Sequence, residues 1–405
     1  MRKSGDAVIP MQKNFNVTYV LGDEKILFEM KSCKRLPIFS PLVEGFLDCL
    51  SKNILSNPEV RRYSDVATVG FWCRRSAVRQ AAQRYEPIKN TIGRGMVFHI
   101  SPSNVAVNFA YSLITALLAG NASVVRLPSK NFPQVDLLCQ ALEKSLQKFS
   151  EMRRYILLVR YGHDKAVNDF FSSICDTRVI WGGDSSIREI RTSPLSSRAN
   201  EITFADRYSI AMIQSTEYLR SDDKAEIAEA FYNDTYLTDQ NACSSPRIII
   251  WLGDDTERAK DLFWRYLHKV VKERYVFRPV QAVDKLMNIY RMSLAYPIRI
   301  CDMPDNYITR IDVPHLDDTL MEYKMNSGFF MEYKASSIEE LLPLCTERCQ
   351  TLACYGMDPE MIRRMICQHG ASGVDRVVPF GQTMNFSLIW DGIDLIRVMS
   401  RQIVG

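Results

Sequence analysis

Cys243 stands in the segment Thr238-Asp239-Gln240-Asn241-Ala242-Cys243-Ser244-Ser245-Pro246-Arg247, among small and polar neighbours. A thiol attacks only as thiolate, and thiolate needs access and nearby dipoles. A cysteine so placed can accept an acyl group as a thioester. It can equally be a structural thiol, and on local sequence alone that alternative is slightly favoured, because one cysteine among small residues is a weak motif. Asn104 follows the apolar run Met96-Val97-Phe98-His99-Ile100 and the turn Ser101-Pro102-Ser103. Its amide can donate to an oxyanion formed on a thioester, or cap a helix that begins at Val105. Both roles place it in the turn, so both stay open.

Gly182-Gly183 lies between a strand ending at Trp181 and a helix. A glycine pair there lets backbone come close to a ligand, and a helix N-terminus attracts phosphate. It is not a G-x-G-x-x-G fingerprint, and a bare pair of this kind is more often a plain turn. Arg126 and Lys130 bracket Leu127-Pro128-Ser129. Two cations and a hydroxyl at a strand end can hold the ribose 2′-phosphate of NADP, or simply be solvated. Cysteines number eleven, an odd count without any C-x-x-C pair, and no histidine lies at ligand spacing from Cys345, Cys349 and Cys354. No metal is therefore expected, and ten of the eleven read as reduced, mostly buried thiols of a reducing cytosol.

The 405 residues exceed one ordinary core, so two lobes are expected. Lys and Arg total 51 against 47 Asp and Glu, a net charge of +4. That balance offers no case for a nucleic-acid partner, though it leaves room for a local phosphate site. The opening Met1-Arg2-Lys3-Ser4-Gly5-Asp6 leads into no apolar signal region, and the run Ala110–Leu118 is too short to span a bilayer. A cytoplasmic protein without membrane insertion is expected.

The elements that must position these residues follow from periodicity. Residues 40–55 and 72–85 read as helices, the second with a basic, solvated face. From residue 96 onward the pattern alternates. Strands are predicted at 96–100, 123–127, 155–160 and 178–181, with a buried helix over 105–119 and further helices running to 149 and over 164–173. Such alternation means a parallel sheet covered by helices, which binds ligands at the carboxyl ends of its strands. A second alternating region starts near Ile202, with strands at 208–213 and 247–252 and helices at 223–236 and 256–276; residues 300–355 are mixed. A strand at 376–381 is read as returning to the first lobe. The domains expected are 1–204 with 376–405 for the cofactor, and 205–375 for the nucleophile.

As a set, five segments resemble the aldehyde dehydrogenase superfamily, and within it the LuxC-type acyl-CoA reductases. They are His99–Val105, Leu117–Arg126, Trp181-Gly182-Gly183, Asp239–Pro246 and Trp390-Asp391-Gly392. The resemblance implies an α/β fold of two parallel-sheet, Rossmann-like lobes with the active site between them. It gives Cys243 the role of nucleophile and Asn104 that of amide donor. Ser101 and Pro102, Arg126, Ser129 and Lys130, and Trp181, Gly182 and Gly183 fall at the implied cofactor edge. Lys130 stands where an acidic residue is usual, which favours NADPH. The usual glutamate base is missing from Thr203-Phe204-Ala205-Asp206, and Glu201 is a weak substitute.

The implied activity is reduction of acyl-CoA, or of an acyl-protein thioester, to a fatty aldehyde through acyl-Cys243. An acyl-protein synthetase partner and homo-oligomerisation are implied with it. Two alternatives are a cysteine-dependent acyltransferase without redox chemistry and a non-catalytic scaffold of the same fold.

Overall fold

The computed structural model describes residues 15–86, 88 and 90–405, so the opening Met1–Asp6 lies outside the described residues. Two compact units form: the described residues up to Ala205 together with Asp394–Gly405, and Asp206–Ile393.

In the first unit, β1 (Thr18–Leu21), β2 (Thr91–Gly93), β3 (Met96–Ile100), β4 (Ala122–Arg126), β5 (Ile156–Arg160), β6 (Thr177–Trp181) and β7 (Asn200–Phe204) occur in chain order. Six of them make one sheet in the order β1-β5-β4-β3-β6-β7. The strands from β3 to β7 are parallel. β3 and β6 are buried at every position, as expected of strands covered on both faces. The sheet is not wholly parallel, because β1 joins β5 antiparallel at the edge. The chain leaves β3 first toward β4 and later toward β6, so the topological switch lies at β3. The carboxyl ends of β3, β4 and β6 carry Ser101–Asn104, Leu127–Lys130 and Gly182-Gly183.

Two boundaries differ from expectation. The helix expected at Val105 is Asn108–Leu118, with Val107 at its N-cap. Asn104 lies on an exposed bend before it and does not cap it. β7 pairs with β6 through Trp181↔Phe204, and the first unit runs to Ala205 against the 204 expected.

Beneath the carboxyl edge lies a buried polar chain. His99 Nδ1 is 2.7 Å from Ser112 Oγ, and Nε2 is 3.3 Å from Ser123 Oγ. Burial pushes the imidazole pKa down to about 3, so the ring is neutral. Trp181 Nε1 donates to the same Ser112 Oγ at 3.1 Å, and its ring stacks on Phe204.

The second unit holds β8 (Tyr208–Gln214), β9 (Pro246–Leu252), β10 (Arg299–Cys301), β11 (Thr309–Asp312), β12 (Phe329–Lys334), β13 (Cys349–Tyr355) and β14 (Arg376–Pro379). Their order is β10-β11-β12-β9-β8-β13-β14. All neighbours are parallel except β10 on β11. Apolar side chains alternate along β8 and β9 between the two faces and fill a core on each. The stretch that looked mixed in sequence supplies most of this sheet. β14 does not return to the first lobe: it satisfies the edge of β13. The return is made by Asp394–Gly405, where Ser400–Gln402 pairs with β2. No helix among the described residues is long and apolar enough to cross a membrane.

Candidate active site

The loop that carries Cys243 is held by its own polar residues. Asp239 and Gln240 both adopt left-handed backbone, with φ of 50° and 52°. Strain of this kind persists only where side chains over-determine the loop. The Tyr275 hydroxyl donates to Asp239 at 2.5 Å. The buried Gln240 amide donates to Pro246 O at 3.2 Å and accepts from Gly328 N at 2.8 Å. Arg247 donates to Asn326 Oδ1 at 3.0 Å and to the carbonyls of Gln240 and Met325. The Ser209 hydroxyl donates to the carbonyl of Cys243 itself at 2.7 Å. The polar run that marks this motif in sequence thus serves mainly to fix the loop at the head of β9.

Sγ of Cys243, a half-buried residue, accepts a hydrogen bond from Gln350 Nε2 at 3.2 Å. The same amide nitrogen donates to Asp391 Oδ1 at 2.6 Å. Gln350 sits on β13 where its register against β8 shifts between Cys349 and Thr351. A bulge of this kind re-aims a side chain, here toward the sulfur. Asp391, in a left-handed turn with φ of 49°, lies 3.5 Å from Arg207, and Arg207 also pairs with Asp375 at 2.5 Å.

The electrostatics oppose one another. Burial, then the Asp391 carboxylate, pushes the Cys243 thiol up to about 11, while the Gln350 hydrogen bond and Arg207 pull it down. The resting sulfur is therefore a thiol at neutral pH. Burial also raises the pKa of Asp391, and Arg207 and Gln350 counter it. Gln350 and Arg207 are the groups that favour the thiolate, against burial and Asp391. Sequence reasoning missed Gln350 and Arg207 and assigned Asp391 no role, although Trp390-Asp391-Gly392 was a visible motif.

At the carboxyl edge of the first unit, Ser101 Oγ is buried with no hydrogen-bond partner among the described residues. A Cβ added to Gly183 would meet nothing within 4 Å, so the turn is open to a ligand. Ser129 and Lys130 are exposed, and Lys130 has no ion-pair partner among the described residues. Two expected contributors are otherwise engaged. Arg126 lies over the Tyr161 ring at 4.6 Å and donates to Gly162 O at 3.1 Å. Trp181 is committed to the core, leaving only its backbone at this edge. Pro102 is half-buried on the same turn.

Glu201 lies on β7 between two guanidiniums, 2.5 Å from Arg178 and 2.7 Å from Arg191. Arg178 in turn donates to Ser172 Oγ and to the carbonyls of Ile190 and Ser193. A carboxylate held this way closes a structural ion network.

A model of the acyl-CoA reductase (LuxC) family matches residues 72–289, more than half of the chain. The chain belongs to this family. For this acyl-CoA reductase family member, the matched segment contains Asn104, Lys130, Gly182, Gly183 and Cys243; Gln350 and Asp391 lie beyond it. No curated protein sequence matches the chain. Its fold is that of the aldehyde dehydrogenases. Aldehyde dehydrogenase 21 from Physcomitrella patens is 12% identical over 92% of this chain and 84% of that one, with a TM-score of 0.61. Lactaldehyde dehydrogenase from Escherichia coli is 14% identical over 93% and 88%, with a TM-score of 0.63. An NAD-dependent benzaldehyde dehydrogenase from Corynebacterium glutamicum is 12% identical over 90% and 85%, with a TM-score of 0.60.

The other ten cysteines are less buried than expected: five are buried, four are half-buried and Cys367 is exposed. Cys301, Asp312 and Glu332 bring ligand-type atoms within 4.8 Å of one another. Lys260 and Arg299 already pair with Asp312, and Arg310 pairs with Glu332. The indole N–H groups of Trp251 and Trp264 donate to the same Glu332 oxygen. The cluster is a compensated ion network, with no charge left for a cation.

Proposed function

We propose that this chain reduces fatty acyl thioesters, on CoA or on a partner protein, to fatty aldehydes with NADPH, through an acyl group carried on Cys243. The carrying observation is the Gln350 amide 3.2 Å from Sγ of Cys243, whose own loop, unlike Gln350, is covered by the family match. A structure of the same fold is an NAD-dependent enzyme, which supports a nicotinamide partner. The first unit would hold it, with Gly182-Gly183 along the diphosphate, Ser101 and Pro102 beside it, and Ser129 with Lys130 at the adenosine ribose. The open turn at Gly183 and the unsatisfied Ser101 hydroxyl fit that group.

Cys243 loses its proton as Sγ attacks the acyl carbonyl. The bond from that carbon to the donor sulfur breaks, and the departing thiolate takes up the proton. Gln350 donates to Sγ throughout and favours its charged form. When bound, the reduced nicotinamide supplies the hydride that converts the thioester carbonyl to a hemithioacetal oxyanion. The family resemblance gives Asn104 the role of donor to that oxyanion. Collapse breaks the carbon–sulfur bond to Cys243, releases the aldehyde, and leaves a thiolate that regains a proton from water. No water need be activated, which agrees with Glu201 being held in its ion network. An acyl-protein synthetase as donor belongs to the same reading.

The test is a panel of acyl-CoA chain lengths with NADPH, followed at the nicotinamide absorbance, with mass spectrometry of the enzyme. An acyl adduct on Cys243, lost together with reduction in Cys243→Ala, is expected. Acylation without nicotinamide turnover would make the chain an acyltransferase, and an adduct on another cysteine would overturn the assignment.

A further inference from the structure

Asp234, in the last turn of the helix Lys224–Thr235, is wholly buried and forms no ion pair among the described residues. A buried carboxylate is costly unless donors compensate it. Here three donors converge on its two oxygens. Gly381 N donates to Oδ2 at 2.7 Å, and Thr383 donates to Oδ1 through N at 3.0 Å and through Oγ1 at 2.9 Å. Gly381 has a left-handed φ of 81°, and a Cβ there would stand 3.2 Å from Cβ of Ala230, one turn earlier in the same helix. Glycine thus lets this stretch of chain lie close against the helix that carries Asp234.

These donors belong to one segment, the chain that leaves β14 and runs to Asp391. Arg376, the first residue of β14, holds its middle. It donates to the carbonyls of Thr383 at 3.1 Å and Asn385 at 3.0 Å, and its guanidinium lies over the Trp390 ring at 4.5 Å. The segment meets the surroundings of Cys243 at two points. Ser244, directly after Cys243, donates from Oγ to Met384 Sδ at 3.4 Å. Asp391 accepts at 2.6 Å from Gln350 Nε2, the nitrogen that also donates to Cys243 Sγ. The Asp234 carboxylate bonds only Gly381 and Thr383 among the described residues. Any influence it has on the sulfur therefore passes through the segment.

We infer that Asp234 is a positioning residue for the Cys243 site: its carboxylate fixes Gly381 and Thr383, and through them sets Asp391 against Gln350. The inference rests on the reading of Cys243 as nucleophile. Asparagine in place of Asp234 keeps the shape but offers one acceptor oxygen, so its NH2 confronts the N–H of Gly381 or of Thr383. A released segment draws Asp391 away from Gln350. The sulfur then loses a repelling carboxylate and has the Gln350 donor to itself, and both changes favour thiolate.

Iodoacetamide labelling of Cys243 against pH, on the full chain, tests it. Asp234→Asn should move the profile to lower pH and speed labelling at pH 8 by about threefold or more. Thr383→Val removes one donor from the same carboxylate and should shift the profile the same way by less; it carries the test if Asp234→Asn does not fold. In an Asp391→Asn background, Asp234→Asn should add less than about twofold, because the carboxylate it positions is gone. Profiles unmoved in both single variants overturn the inference, as does a full additive shift in the double variant. Hydrogen exchange reads the segment without using the thiol. The amides of Gly381 and Thr383 should exchange at least about tenfold faster in Asp234→Asn, and unchanged exchange overturns the inference. If the wild-type Cys243 does not label at any pH while these amides lose protection in Asp234→Asn, the nucleophile reading fails and the hold of Asp234 on the segment stands.

Discussion

Gln350 Nε2 donates to Cys243 Sγ at 3.2 Å although 107 residues separate the two in the chain. A donor aimed at sulfur stabilises thiolate more than thiol. Gln350→Ala should therefore raise the thiol pKa and slow acylation at pH 7 by about tenfold, on the order of 1–2 kcal/mol. The iodoacetamide labelling rate of Cys243 against pH should shift to higher pH. An unchanged profile would leave Gln350 with a packing role only.

Asp391 works in the opposite direction, since its carboxylate helps hold the thiol near 11. Asp391→Asn removes that negative charge, so thiolate becomes easier to form and the pKa falls. Labelling of Cys243 at pH 8 should accelerate by about tenfold for each unit of fall. Arg207 keeps Asp375 as a partner, which should preserve the fold. If Asp391 were merely structural, melting temperature would drop and labelling would not accelerate.

Asn104 sits on an exposed bend ahead of the helix Asn108–Leu118, which rules out the capping role that the sequence left open beside the oxyanion role. Asn104→Asp should consequently change stability by no more than about 0.5 kcal/mol. Beside a developing oxyanion it should repel where asparagine donates, and reduction should fall roughly a hundredfold. Cofactor titration and melting temperature on the same preparation separate the two effects. Normal turnover would remove Asn104 from the mechanism.

Lys130, in the turn after β4, is exposed and without an ion-pair partner among the described residues, while Arg126 is engaged by Tyr161 and Gly162. The wild-type chain should prefer NADPH to NADH, and Lys130→Glu should weaken NADPH binding by about tenfold to a hundredfold. Arg126→Ala should matter less for this preference. Equal use of both cofactors by the wild type would argue against a phosphate site here.

Amino-acid order alone determined the alternating strands and helices around Cys243 and Asn104, because each is a short apolar run closed by turn residues. It also marked Cys243, since a thiol between small polar residues differs from one in a core. Tertiary structure decided the rest. Residues 300–355 carry weak local periodicity, and only the order of the seven-stranded sheet shows that they build it. β14 looked free to return to the first lobe until the open edge of β13 claimed it. Glu201 looked like a spare carboxylate until Arg178 and Arg191 closed on it. The company of Cys243 is the clearest case. Gln350 reaches it from a register shift in β13, Asp391 from a left-handed turn, and Arg207 from the residue before β8. Periodicity reports what is near along the chain, whereas these contacts depend on which strands are neighbours and where one of them bulges.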